Sequence, residues 1–305
     1  MIIYKYLPQE SALKTIENDS VLLRCPLEYN DPFDCLFFVD KKEIDNAFKL
    51  FLNFKLFESF YNDMVVQNKK PTRLKIYAKI MKSNVKLIAD ETKKTKSYEI
   101  HKEISMYHKF ASKILGKKDT ELKIQFKHMI DGVLLEMRKT VLASCFGSTY
   151  DSLLMWSHYA DKHKGACLEY EIDDKDFKAV EYSDELPIFP ITKLLGIIFA
   201  HQFLNEEIDM EKEECQFALK PLLTKSSVWN YEGEIRCVYS KNKENDKIYS
   251  DDGGNRFLKM PAIKTIFIGC NADEKFIRAV KEKASGIPVK QMKMASDKYC
   301  VLLEK

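Results

Sequence analysis

The sequence of 305 residues predicts an α+β fold, a mixed β-sheet core carrying a helical, lysine-rich insertion. Three observations predict it. Short apolar runs with period-two alternation recur at both ends of the chain. Segments of helical period stand between and after them. The stretch 41–140 changes both period and charge, holding 23 Lys and Arg against 12 Asp and Glu, whereas the remainder holds 26 against 34. These shifts divide the chain into an α+β core, residues 1–40 and 141–305, and a basic helical lobe, residues 41–140.

In order, Ile2 to Leu7 predicts a first strand and Ser11 to Asn18 a helix capped by Ser11. The run SVLLRCPLEYNDPFD predicts a strand entering a turn at Asn30-Asp31-Pro32, because the residue before a proline is pushed out of the helical region. TVLASCFGS, residues 140–148, is apolar on both faces and predicts a central strand. A helix follows from about Asp151, with Gly165 placed for a left-handed cap. Ala166, Leu168, Tyr170 and Ile172 alternate as the inner face of another strand. LLGIIFA at 194–200 reads as a strand, 206–220 as a helix and 228–240 as a strand. Ile263–Ile268, Asp273–Ala284 and one or two closing strands complete the pattern.

Composition excludes several classes. Apolar residues at 45% and aromatics at 12% exclude a disordered chain. No stretch approaches the roughly 20 apolar residues of a membrane span, and Met1-Ile2-Ile3-Tyr4-Lys5 lacks a signal-peptide pattern. A cytoplasmic protein is the expectation. The eight cysteines form no C-x-x-C pair, so they read as buried thiols and not as zinc ligands or a disulfide framework. Without glycine-rich phosphate loops, a P-loop or dinucleotide fold is excluded. The basic lobe suggests an anionic partner such as nucleic acid, or else lysine-rich helices facing solvent.

Two stretches concentrate polar chemistry. LLMWSHYADKHKG, 153–165, crowds Trp156, His158, Tyr159 and His163 into one helix that is apolar nearly all round, which predicts burial and hydrogen-bond partners. At five residues apart, His158 and His163 point about 140° from each other and do not share a metal. In YEGEIRCVY, strand alternation puts Glu232, Glu234 and Arg236 on one face, the two carboxylates about 6.5–7 Å apart. That is an acid–base or electrostatic site, or an exposed ion pair. Arginine is scarce, with only six in the chain, so Arg236 marks a place that needs a bidentate fork. Asp31 and Asp34 either build their turn or partner His158 or Arg236.

These motifs carry a resemblance. YKYL near the start, NDPFD at 30–34, CFGS with LLMWSHYADKHKG at 145–165, WNYEGEIR at 229–236 and IKTIFIGCNA at 263–272 resemble the bacterial domain of unknown function 2971. That family has abortive-infection relatives, so the resemblance implies a role in phage defence. The layout is also similar to the ADP-ribosyltransferase superfamily, with an aromatic first strand, a middle Ser/Thr strand and a late Glu-x-Glu. That likeness implies NAD as substrate, Glu234 as catalyst and Glu232 as its assistant. It also implies Ser148 or Thr149 as the middle motif, while the first strand offers only Tyr4, Lys5 and Tyr6 to hold the cofactor; Asn30 in the NDPFD turn is a further candidate binding residue. The closing strand–helix–strand segment and the missing first-strand His or Arg depart from that superfamily.

Three readings follow. One is an NAD-using transferase whose pocket wall includes His158, Tyr159 and Trp156. Another is a nuclease in which Asp31, Asp34, Glu232 and Glu234 hold Mg²⁺, with the basic lobe on nucleic acid. The third is a non-catalytic sensor or protein-binding partner, with His158 and Glu234 buried and no cavity beside them.

Overall fold

Among the described parts of the chain, β1 (Ile2–Leu7) lies antiparallel to β4 (Ala166–Glu171), and β4 in turn pairs with β11 (Ile263–Ile268). The computed structural model describes residues 1–51, 119–172, 175–195, 219–241 and 245–304. Two compact units divide the chain: Met1–Leu36, Met137–Leu186 and Leu222–Lys305 form one, and Phe37–Glu136 with Pro187–Pro221 the other.

The first unit is built on a mixed five-stranded sheet of order β1-β4-β11-β12-β13, with β12 Val289–Met294 and β13 Val301–Leu303. Central β4 buries Ala166, Cys167, Leu168 and Tyr170 on both faces, as a strand between two neighbours must. The parallel β11–β12 pair is joined through α4 (Glu274–Lys283), which Asp273 caps by accepting from Phe276 N at 2.8 Å. Helix α4 buries Phe276 and Val280 in the same core as Ile3, Leu168, Ile266 and Ile268.

Two smaller sheets complete the unit. One is β2 (Ser20–Leu23), β10 (Arg256–Lys259) and β9 (Ile248–Ser250); the other is β3 (Val141–Phe146), β8 (Ile235–Ser240) and β5 (Phe177–Ala179). Backbone pairs at Tyr4–Gly147 and Arg24–Ala143 tie β3 to both β1 and β2. Short β6 (Glu181–Ser183) and β7 (Thr224–Ser226) run parallel. In the second unit, Phe126 of α2 (Asp119–Thr140) packs against Phe48 at 5.6 Å, and Phe37 packs on Phe189 at 5.2 Å.

Several expectations are corrected. The first helix, α1, is Gln9–Asn18, entered from Pro8 without a side-chain cap, so Ser11 lies inside it. Leu194 and Leu195 are helical, not strand, and 196–200 lie outside the described residues. Of the helix expected over 206–220, only the end is described, where helix runs from 219 to 222. The crowded helix is much shorter than expected: α3 is Leu153–Tyr159, after which Asp161, Lys162 and His163 all take positive φ. Gly165 is not the left-handed cap. It is needed because a Cβ there would stand 2.1 Å from the Leu7 carbonyl oxygen. The strand expected over 228–240 begins only at Ile235, since Ser227–Glu232 forms a 3₁₀ turn ended by Gly233 at φ +48°. Most of the basic segment 41–140, and with it the expected nucleic-acid surface, lies outside the described residues. No helix among the described residues is long and apolar enough to cross a membrane.

Candidate functional site

Strand β8 places Arg236 in the interior, fully excluded from solvent. Asp34 grips it bidentately, Oδ1 accepting from Nη1 at 3.0 Å and Oδ2 from Nη2 at 3.1 Å. Nη1 also donates to Leu222 O at 2.8 Å, and Nε to Glu234 Oε1 at 2.6 Å. The fork that scarcity of arginine suggested is therefore present. Of the two aspartates, Asp31 does not join: its Oδ1 accepts from Phe33 N at 2.9 Å within the turn. Asn30 is exposed.

Lys225, on β7, is the second cation. Its ammonium donates to Glu234 Oε2 at 2.9 Å and to Glu232 Oε2, lies 3.7 Å from Asp34 Oδ2, and sits 5.1 Å from the centre of the Trp229 ring. Tyr159 Oη donates to the other Glu232 oxygen at 2.6 Å, and Tyr182 Oη accepts from Glu234 N at 2.8 Å. The strand-face geometry expected for Glu232 and Glu234 does not hold. The left-handed turn at Gly233 breaks the alternation, and both carboxylates converge on Lys225. With each of Asp34, Lys225, Glu232, Glu234 and Arg236 at most 8% exposed, the alternative of a solvent-exposed Glu–Arg pair is excluded.

The two glutamates differ electrostatically. Burial raises Glu234, but Arg236 and Lys225 pull it further the other way, to about 2. For Glu232, burial outweighs Lys225 and the Tyr159 hydrogen bond, so its carboxyl is held above the ordinary value. Burial lowers Lys225, but Glu234 and Glu232 raise it more. Asp34, Glu232 and Glu234 thus meet Arg236 and Lys225 in direct contact, Lys5 also acts on Glu234 from beneath, and Glu232 is the carboxyl whose protonation burial favours. A metal-dependent reading needs a divalent cation among Asp31, Asp34, Glu232 and Glu234; the Lys225 ammonium stands among three of these.

Above Glu232 lies a rim of rings. His158 is exposed, contrary to the expected burial, because the short α3 turns only Met155 and Trp156 into the core. Its Nδ1 meets Tyr231 Oη at 2.9 Å, and Tyr231 lies 6.0 Å from Trp229. Trp156 is fully buried and donates from Nε1 to Tyr150 O at 2.7 Å, so it supports the helix and does not line the rim. His163, beyond the left-handed turn, lies on the other flank of α3, where its Nε2 meets Ser157 Oγ at 3.0 Å. Ser148 is exposed, and its Oγ would lie 2.2 Å from a Cβ at position 233. Thr149 Oγ1 donates to Asp151.

The first strand contributes from beneath. Lys5 Nζ donates to Ser144 Oγ at 2.8 Å and Cys145 O at 2.7 Å, and burial lowers its pKa. Tyr6 Oη donates to Thr149 O at 2.8 Å. Cys145, next to Glu234, is pushed up to about 12 by burial and by that carboxylate. Sequence reasoning missed Lys225 and Tyr182. The only signal was a single lysine two residues after the apolar Leu222-Leu223, which in a short strand points inward as readily as outward.

This is an α+β protein with a closed buried ion cluster beside a rim of half-buried rings and the exposed His158. Residues 155–237 match the family model described as a protein of unknown function (DUF2971), which supports the family resemblance carried by the motifs. The match contains almost all of α3, Lys225, the aromatic rim and Arg236, but not Asp34. No curated protein and no solved structure matches the chain.

Proposed function

We propose that the rim over Glu232 binds the flat, cationic nicotinamide of NAD, and that the protein is an ADP-ribosyltransferase-like enzyme. The observation that carries this reading is the placing of Glu232. It belongs to a cluster in which three carboxylates directly contact two cations, and it lies beside the half-buried rings of Trp229 and Tyr231 and the exposed ring of His158. Aromatic faces and an adjoining carboxylate together favour a cation. Glu232 takes the role that the superfamily likeness gives Glu234, because Glu232 bonds to half-buried Tyr159 on the rim side, whereas Glu234 is tied to the fully buried Arg236.

In this reading the Glu232 carboxylate stabilises positive charge developing on the ribose as its bond to nicotinamide breaks. Lys225 and Tyr159 fix its orientation beforehand. The displaced nicotinamide leaves with the bonding electron pair, and the acceptor's nucleophilic atom bonds to the ribose and loses its proton. A role as a phage-defence effector rests on the family resemblance and would follow from modification of a host component.

The test is release of nicotinamide from NAD by wild type, Glu232→Gln and Tyr231→Ala, each with its melting temperature. Turnover that falls by about 10²-fold or more in folded Glu232→Gln supports the reading. Absence of turnover and of any melting shift with NAD overturns it.

A further inference from the structure

The five-stranded sheet ends in β13, and the outer edge of that strand is open. Its register with β12 sets Lys293 opposite Leu302 and Met294 opposite Val301. Glu304 N donates to Gln291 O at 2.8 Å, and Cys300 O accepts from Ala295 N at 3.1 Å. In an antiparallel ladder only alternate residues bond to a given neighbour. Cys300, Leu302 and Glu304 therefore turn their backbone groups to β12, and Val301 and Leu303 turn theirs outward. Among the described residues, none bonds to those outward groups.

The edge is also undisguised. Val301–Leu303 carries no charge, no proline and no bulge, the usual guards of a free strand. Three large apolar side chains stand exposed around it: Tyr299 at 100%, Met294 at 71% and Leu302 at 47%. At the opposite end of the sheet, β1 is guarded, because Tyr4 exchanges two backbone bonds with Gly147, at 3.0 and 2.7 Å.

We propose that β13 is the contact strand of a homodimer, in which the sheets of two copies join edge to edge. An antiparallel copy related by a two-fold axis at Leu302 sets Val301 of each chain against the other's Leu303. Every outward N–H and C=O of the strand is then bonded, and only strand residues take part. An axis at Val301 would need Tyr299, which lies in the bend before the strand. Exposed Lys298 precedes the strand and exposed Glu304 follows it, with Asp297 one residue further into the loop. Antiparallel pairing brings each Glu304 to the end where the other copy's Lys298 stands, whereas parallel pairing sets like charges together. At the axis, a position without backbone bonds, the two Leu302 Cα atoms lie about 4.5 Å apart. The proposal is independent of the NAD reading.

Sedimentation of the full chain under reducing conditions tests it. A dimer populated at about 100 µM chain is expected, the affinity of a small interface. Leu303→Pro removes an outward N–H and no bond to β12, and Leu302→Lys opposes two ammonium groups at the axis, so each should leave a monomer. If Leu303→Pro does not fold by circular dichroism, Leu302→Lys, at an exposed side chain, decides. Under oxidised glutathione, Leu302→Cys should give a disulfide-linked dimer, since about 4.5 Å falls within the Cα range of a disulfide, whereas wild type and Lys293→Cys should not. A monomer at that concentration, a dimer that survives Leu302→Lys, or no crosslink in Leu302→Cys would overturn the proposal.

Discussion

The two flanks of α3 solve the problem of buried polarity in opposite ways. On the Tyr159 flank, every oxygen of Asp34, Glu232 and Glu234 has a donor. On the His163 flank, among the described residues, Leu153, Met294 and Val301 line an open cavity with Asp297 and Lys298 on its exposed loop, and His163 Nδ1 is buried without a hydrogen-bond partner. A seven-residue helix thus separates a saturated electrostatic network from an open cavity and one unsatisfied nitrogen. The contrast shows that crowded polar rings in sequence need not share one chemistry. Each ring's role is set by the element it meets.

The comparison can be broken most forcefully at Arg236. Arg236→Met leaves Asp34 and Glu234 with Lys225 alone in a dry interior, and should cost about 3–5 kcal/mol in urea unfolding. A loss under about 1 kcal/mol would mean that the cluster is far better hydrated than its burial implies. Gly165→Ala comes next, because the new methyl meets a backbone carbonyl that cannot swing away; about 1–3 kcal/mol is expected. Tyr159→Phe removes one charge-assisted bond and leaves a Glu232 oxygen bare, for about 1–2 kcal/mol. His158→Ala, on the exposed rim, should stay within about 0.5 kcal/mol while reducing NAD turnover.

Acid titration sharpens the comparison between the glutamates. Glu234 is depressed to about 2 in the folded chain, against about 4.3 unfolded. Its contribution is therefore full above the unfolded value and is lost as pH falls toward 2. Glu232 is raised, so its sign reverses: stability is greatest while it is protonated and declines as it ionises. Melting temperatures measured from pH 2 to 7 should show a flattened acid limb in Glu234→Gln. The same scan of Glu232→Gln should show a smaller decline above pH 4.3 than wild type. Parallel curves for all three proteins would rule out this division.

Much of the fold was legible because it rests on local pattern. Alternation marked β1, β4 and β11, apolarity on both faces marked β3, and Asp273 marked the start of α4. Expectation failed where a backbone contact from afar overrides local period. Helix α3 ends at Tyr159, after which Gly165 packs on Leu7 O and Gly269 on His163 O. The strand before Ile235 is lost to the turn at Gly233, which faces Ser148. Short β5, β6, β9 and β10 also escaped notice, being three or four residues long and too brief to display a period.

The candidate site divides along the same line. Residue types and spacing by themselves determined that Glu232, Glu234 and Arg236, and the rings of 156–163, are grouped closely enough to need partners wherever they are buried, since burying such groups unpaired is costly. Only the tertiary structure decided which partners they have. Arg236 and Asp34 are 202 positions apart, and Lys225 enters the cluster from a separate strand. Periodicity encodes the face on which a side chain stands, whereas ion pairing depends on which distant segments the packed sheets bring within 3 or 4 Å, the range over which a hydrogen bond or ion pair forms.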